Sequence, residues 1–134
     1  MRTLALDYGS ARCGCAVSDP TGTLATPIEP VLRPATRKGI ARIAELVRER
    51  DAQLVVVGLP LTLAGGDSAQ TVEARAFAAR LAERVSVPVE LYDERFTTLM
   101  AQRDPGESGS SEDSRAAAHL LEGWLAARSA RIGE

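Results

Sequence analysis

The chain opens with short apolar runs broken by charges and turns. Thr3 to Asp7 places Leu4, Ala5 and Leu6 together and then an acid, the pattern of a buried strand ending on a charge. The turn residues Tyr-Gly-Ser-Ala-Arg follow, and Cys13 to Ser18 reads as a second strand. Asp19-Pro20-Thr21-Gly22 is a turn signature, because proline fixes φ and glycine accepts a positive one. Thr23 to Pro27 reads as a third short strand, followed by Pro30 and Pro34. Three short strands joined by tight turns predict an antiparallel meander.

The period then changes. From Thr36, a candidate N-cap, the apolar residues Ile40, Ile43, Ala44 and Val47 recur at helical spacing. Arg37, Arg42, Glu45, Arg48 and Glu49 fall on the other side, so the spacing predicts an amphipathic helix ending near Arg50. Leu54-Val55-Val56-Val57 is a continuous apolar run, as in a strand buried on both faces of a parallel sheet, and Gly58-Leu59-Pro60 stops it. A loop leads to a second helix from about Ser68 to Val85, with Val72, Ala76, Ala79 and Leu81 directed at the core. Pro88 to Tyr92 is a fifth strand. The stretch from Asp93 to Arg103 reads as a short helix, and Asp104 to Glu112 as a polar, Gly- and Ser-rich loop. A last helix starts near Glu112 and Asp113 and carries Ala117, Leu120, Leu121, Trp124 and Leu125. No repeat or long linker divides the chain. The expectation is one mixed α/β domain over residues 1–134, with helices on a central sheet.

Composition narrows the class. A length of 134 residues with 45% apolar and 25% charged residues suits one globular domain and excludes disorder and collagen. The formal charge of −2 excludes a nucleic-acid binder that works by bulk charge. Of the 16 basic residues only Lys38 is a lysine. The first apolar run is too short for a signal peptide, and no stretch reaches the ~18 apolar residues of a membrane span. A cytoplasmic protein with no membrane partner is expected. Cys13 and Cys15, two apart in a strand, read as small buried apolar residues rather than as a disulfide.

Three acids stand against their local pattern. Asp7 ends an apolar strand, Glu94 follows one, and Asp113 opens a helix. Strand ends at one edge of an α/β sheet converge on a crevice, where such folds place ligands. Carboxylates meeting there repel one another unless a cation neutralises them. Hard ions such as Mg²⁺ or Mn²⁺ prefer oxygen ligands, and a pair of them can clamp a displacement at phosphorus. Each acid also has a plainer reading. Asp113 can be a helix N-cap, and Asp93 and Glu94 can be solvated strand-end charges. Asp7 is the hardest to dismiss, because an unpaired carboxylate after Leu-Ala-Leu is costly to bury.

Four blocks give the acids a context: ALDYGSARCGCA, VVVGLPLTLAG, LYDERFTT and EDSRAAAHLLEGWL. In this order and over nearly the whole chain they resemble the YqgF/RuvX family, Holliday junction resolvases also associated with pre-16S ribosomal RNA processing. The resemblance implies a ribonuclease H-like fold, a five-stranded mixed sheet with the second strand antiparallel. It implies that Asp7, Glu94 and Asp113 are catalytic acids binding Mg²⁺ or Mn²⁺, and that Arg12 and Arg95 contact substrate phosphate. Arginine suits a bidentate phosphate contact, although either arginine could instead pair with a nearby acid. The implied function is a metal-dependent endonuclease of structured RNA, acting as monomer or homodimer. Resolution of branched DNA and non-cleaving binding of RNA or an assembly partner are the alternatives. His119 could be a general acid, but six residues beyond Asp113 it is expected on the surface instead.

The chain also departs from the family. The segment before Asp113 is shortened and acidic, with Arg103 its only basic residue, and Thr62 stands where the family often has asparagine. Any grip on nucleic acid is therefore expected to be local and metal-assisted, through Arg12, Arg95 and the Arg-bearing first helix.

Overall fold

The computed structural model describes residues 1–59, 68–93 and 112–132. Strands β1 (Thr3–Asp7), β2 (Arg12–Ser18) and β3 (Ala25–Leu32) form the expected meander. Helix α1 (Arg37–Glu49), strand β4 (Leu54–Leu59), helix α2 (Ala69–Arg84), strand β5 (Val89–Asp93) and helix α3 (Glu112–Ile132) follow. The five strands make one sheet in the order β3-β2-β1-β4-β5. β2 runs antiparallel to both its neighbours, whereas β1, β4 and β5 are mutually parallel. This is the five-stranded mixed sheet, second strand antiparallel, that the family resemblance implies.

Strand alternation divides the side chains between two faces. Leu4, Leu6, Val55 and Val57 point to one face and pack under α1 and α2 with Ile43, Phe77 and Leu81. Ala5, Ala16, Leu54 and Val56 point to the other and pack under α3 with Ala117, Leu120, Leu121 and Trp124. β1 and β4 are therefore buried on both faces, which is why their sequences read as continuous apolar runs. Helix α3 lies across β1, β2 and β3.

Two expectations need correction. β3 does not stop at Pro27 but runs to Leu32 through Pro30. It is an edge strand, where a proline's missing N–H costs no ladder bond. In α2 the buried stripe is Thr71, Ala74, Phe77, Ala78 and Leu81, and Val72 is 58% exposed. Ala76 and Ala79 are exposed too. Alanines on several sides of this helix leave its period ambiguous, and the large Phe77 ring decides which stripe is buried. α1 buries the expected Ile40, Ile43, Ala44 and Val47, and the Thr36 hydroxyl caps it by accepting from the Gly39 N–H at 3.1 Å. The 60–67 loop and the short helix and polar loop expected over 94–111 lie outside the described residues. Among the described residues no helix is long and apolar enough to cross a membrane.

Candidate active site

Asp7 is the last residue of β1, half-buried, on the face that α3 covers. Its register partners are Gly14 on β2 and Gly58 on β4, so neither neighbouring strand raises a side chain beside the carboxylate. Gly58 pairs in turn with Tyr92 of β5. Asp7, Gly58 and Tyr92 thus form one row across three parallel strand ends, the edge where α/β sheets hold ligands.

The residues around Asp7 hold this strand end in place. Tyr8 crosses to the opposite face, where it is 6% exposed and its ring lies 4.8 Å from that of Phe77. Its hydroxyl donates to Glu73 Oε1 of α2 at 3.2 Å. Burial, and then the Glu73 bond, push the phenol pKa above its ordinary value, so Tyr8 stays a neutral donor. Beyond it, a Cβ on Gly9 would lie 2.7 Å from the Arg12 carbonyl oxygen, so the β1–β2 turn requires glycine. Arg12 is exposed at the start of β2, level with the end of β1.

Helix α3 is pinned at the same end. The β2–β3 register shifts between Cys13 and Cys15, a bulge in β3 where Glu29 and Pro30 together face Gly14, the residue opposite Asp7. The Cys15 N–H donates to Ser114 Oγ at 3.4 Å, and the Ser114 hydroxyl donates to the Ile28 carbonyl at 2.5 Å. Ser114 is fully buried, so one hydroxyl joins the first turn of α3 to both β2 and β3. Asp113 directly precedes it in the helix; its side chain, like Glu94 and Arg95, lies outside the described residues.

Sequence reading singled out the acids and missed their supports, Gly14, Tyr8 and Ser114. Their signals were present: a glycine between two strand cysteines, an aromatic after a strand-end acid, and a serine after the acid that opens an apolar helix. His119 also departs from expectation. Its side chain is only 16% exposed, with Nδ1 3.3 Å from Glu122 Oε1. Cys13 and Cys15 are buried free thiols, as expected. A groove of about 680 Å³, lined by Arg2, Val47, Arg48, Asp51 and Gln53 among others, opens at the opposite end of β1.

Among the described residues Asp7 supplies one ligand of the kind a hard divalent ion would need, and no group of three candidate ligands gathers there. A carboxylate supplies the oxygen donor such ions prefer, and the flanking glycines keep side chains of β2 and β4 from its flanks. The strand order, the single antiparallel strand and the helix pinned beside the β1 end are those of a ribonuclease H-like fold. The fold is similar to RuvC of T. thermophilus in complex with a Holliday junction substrate, with TM-score 0.63 and 17% identity over 99% of this chain and 97% of that one. It is also similar to the fowlpox virus Holliday junction resolvase, with TM-score 0.55 and 11% identity over 96% of this chain and 99% of that one. The chain belongs to the RuvX family: the family model described as "RuvX: Holliday junction resolvase" matches residues 1–127. A relative from Koribacter versatilis, named "Putative pre-16S rRNA nuclease", is 40% identical over 95% of this chain and 88% of its own length. One from Nocardia farcinica bearing the same name is 45% identical over 96% of this chain and 79% of its own length.

Proposed function

We propose that this chain is a metal-dependent endonuclease that hydrolyses phosphodiester bonds of structured RNA, its substrate being the pre-16S ribosomal RNA of its relatives' names. The observation that carries the reading is Asp7, a carboxylate at the end of the central strand with glycines on both sides. Asp7, Glu94 and Asp113 are the acids that would hold Mg²⁺ or Mn²⁺. When bound, the ion supplies an activated water and charge stabilisation at the phosphoryl oxygens.

The chain's own residues do the rest. Tyr8 and Gly9 fix where the Asp7 carboxylate stands. The Ser114 bonds fix the first turn of α3, and with it the backbone of Asp113. Arg12 offers a guanidinium to the substrate phosphate from the start of β2, and Arg95, next to Glu94, offers a second.

The purified protein with Mn²⁺ or Mg²⁺ is expected to cut a pre-16S RNA precursor, and Asp7→Asn to abolish the cut while its unfolding curve stays in place. Undiminished cleavage by Asp7→Asn would remove the carboxylate from the mechanism. A four-way DNA junction serves as the parallel substrate: cutting of the junction with the RNA left intact would assign the activity to branched DNA.

A further inference from the structure

The acidic segment before Asp113 leaves open what holds the substrate away from the scissile bond. The turn from β3 into α1 offers an answer. β2 runs antiparallel to β1 and β3 antiparallel to β2, so Arg12, its partner Leu32 and the following Arg33 stand at the Asp7 end of the sheet. The Arg33 N–H donates to the Ala11 carbonyl at 2.9 Å, and its own carbonyl accepts the Thr36 hydroxyl at 2.7 Å. The first turn of α1 sits directly on this corner: a Cβ on Gly39 would lie 2.2 Å from the Arg33 oxygen. Arg37 and Lys38 are therefore held beside Arg33, all three exposed.

Three observations set these cations apart. First, Arg33 has φ 46°, in the left-handed region where glycine or asparagine is favoured, yet the position holds an arginine. Second, α1 has no acid in its first turn, so Arg37 and Lys38 stand unbalanced at the positive end of the helix dipole. Third, no carboxylate among the described residues pairs with Arg33, Arg37 or Lys38. Arg42, about one turn further along the same helix, is bonded to Glu45 at 3.0 Å and lies 3.4 Å from Glu49. Backbone strain and unbalanced charge both cost stability, and both persist at the edge that carries Asp7.

We propose that Arg33, Arg37 and Lys38 form a basic rim that binds the phosphodiester backbone of the nucleic-acid substrate, continuing from Arg12 across the strand ends. β3 stands two strand spacings from β1, roughly 10 Å, so the rim meets phosphates beyond the cut rather than the scissile one. The proposal rests on the nuclease reading for its choice of ligand, and its test is kept apart from cleavage.

The test measures binding of a labelled RNA hairpin to Asp7→Asn protein across a salt series, with and without Arg33→Gly, Arg37→Gln and Lys38→Gln. Each lost phosphate contact is expected to lower the salt slope by about 1, and the triple variant to raise Kd roughly tenfold or more. Arg33→Gly alone is expected to weaken binding while the thermal midpoint holds or rises, which a merely structural role for Arg33 would not produce. Arg48→Gln, at the far end of α1, is expected to leave Kd unchanged. Equal losses on DNA of the same sequence also support a backbone contact. Lys38 is the only lysine, so its acylation, read by peptide mass, is expected to fall when RNA is bound. A triple variant with unchanged Kd and slope overturns the rim and leaves the nuclease reading intact. A parent protein that binds neither nucleic acid overturns the rim as well, whereas wild-type protein that binds RNA but never cuts it counts against the nuclease reading alone.

Discussion

The two faces of the sheet solve different problems with the same strands. Under α1 and α2 the contacts are bulky: Leu4, Leu6, Val57, Ile43, Phe77 and Leu81 fill the interior. Under α3 they are smaller near Asp7: Ala5, Ala16, Ala117 and Ala118, with Gly14 and Gly58 flanking the acid itself. The first face gains stability from volume, since each large buried side chain contributes roughly 1.5–3 kcal/mol. The second gives up some of that gain so that a helix can approach the strand end closely. It secures the approach with the buried hydroxyl of Ser114 rather than with a large side chain. Packing and the proposed chemistry are thereby separated onto opposite sides of one strand: Leu6 and Tyr8 serve the first, Ala5 and Asp7 the second.

Substitutions can break this division. The largest effect is expected at Asp7, where Asp7→Asn removes the charge proposed to face the metal. Its cleavage rate should fall by on the order of 10²–10³-fold or more, the scale for loss of one electrostatic group from an active site. Its stability should hold. Phe77→Ala should show the reverse, a loss of about 3–5 kcal/mol in denaturant unfolding with metal affinity retained in the fraction that stays folded. A Phe77→Ala protein that remained stable yet lost metal binding would erase the distinction between the faces. Ser114→Ala leaves the Cys15 N–H and the Ile28 carbonyl short of a partner and should cost about 1–3 kcal/mol. It should also slow cleavage, with Ser114→Thr recovering part of the rate. Tyr8→Phe removes one bond to Glu73 and should cost only about 1 kcal/mol.

The smallest expected effect lies at the far end of β2. The Asp19 carboxyl is held at about pH 2 against an ordinary 3.8 by the Thr21 hydroxyl and then by the Leu24 and Thr23 N–H groups. A lowered pKa means that the folded state favours the charged form. The contribution is therefore present above the ordinary value and lost as pH falls toward the folded one. Asp19→Asn should flatten the acid limb of the stability curve between those values and leave cleavage unchanged. A change in metal affinity would tie this turn to the site, against the present account.

Much of this division was legible in the sequence. β1 and β4 were plain because burial on both faces leaves no polar residue in Leu-Ala-Leu or Leu-Val-Val-Val, and α1 was plain because Thr36 caps a clean apolar stripe. The buried side of α2 was not, since alanine suits either environment and the Phe77 stripe is selected by tertiary packing, with Tyr8 among its partners. The length of β3 was hidden because a proline reads as a stop until the strand is known to be an edge. Asp7 could be found as a charge ending an apolar run. Ser114 could not, because its role depends on a bulge and on Ile28, 86 residues away in sequence.

The central claim is that Asp7 shares a divalent cation with Glu94 and Asp113 at the α3-side end of the sheet. Mn²⁺ titration by calorimetry of the wild-type protein, Asp7→Asn, Glu94→Gln and Asp113→Asn tests it most directly. The account predicts uptake by the wild type and a marked loss in each variant, with all four proteins folded. Wild-type protein that takes up no Mn²⁺, or three variants that bind it as the wild type does, would contradict it.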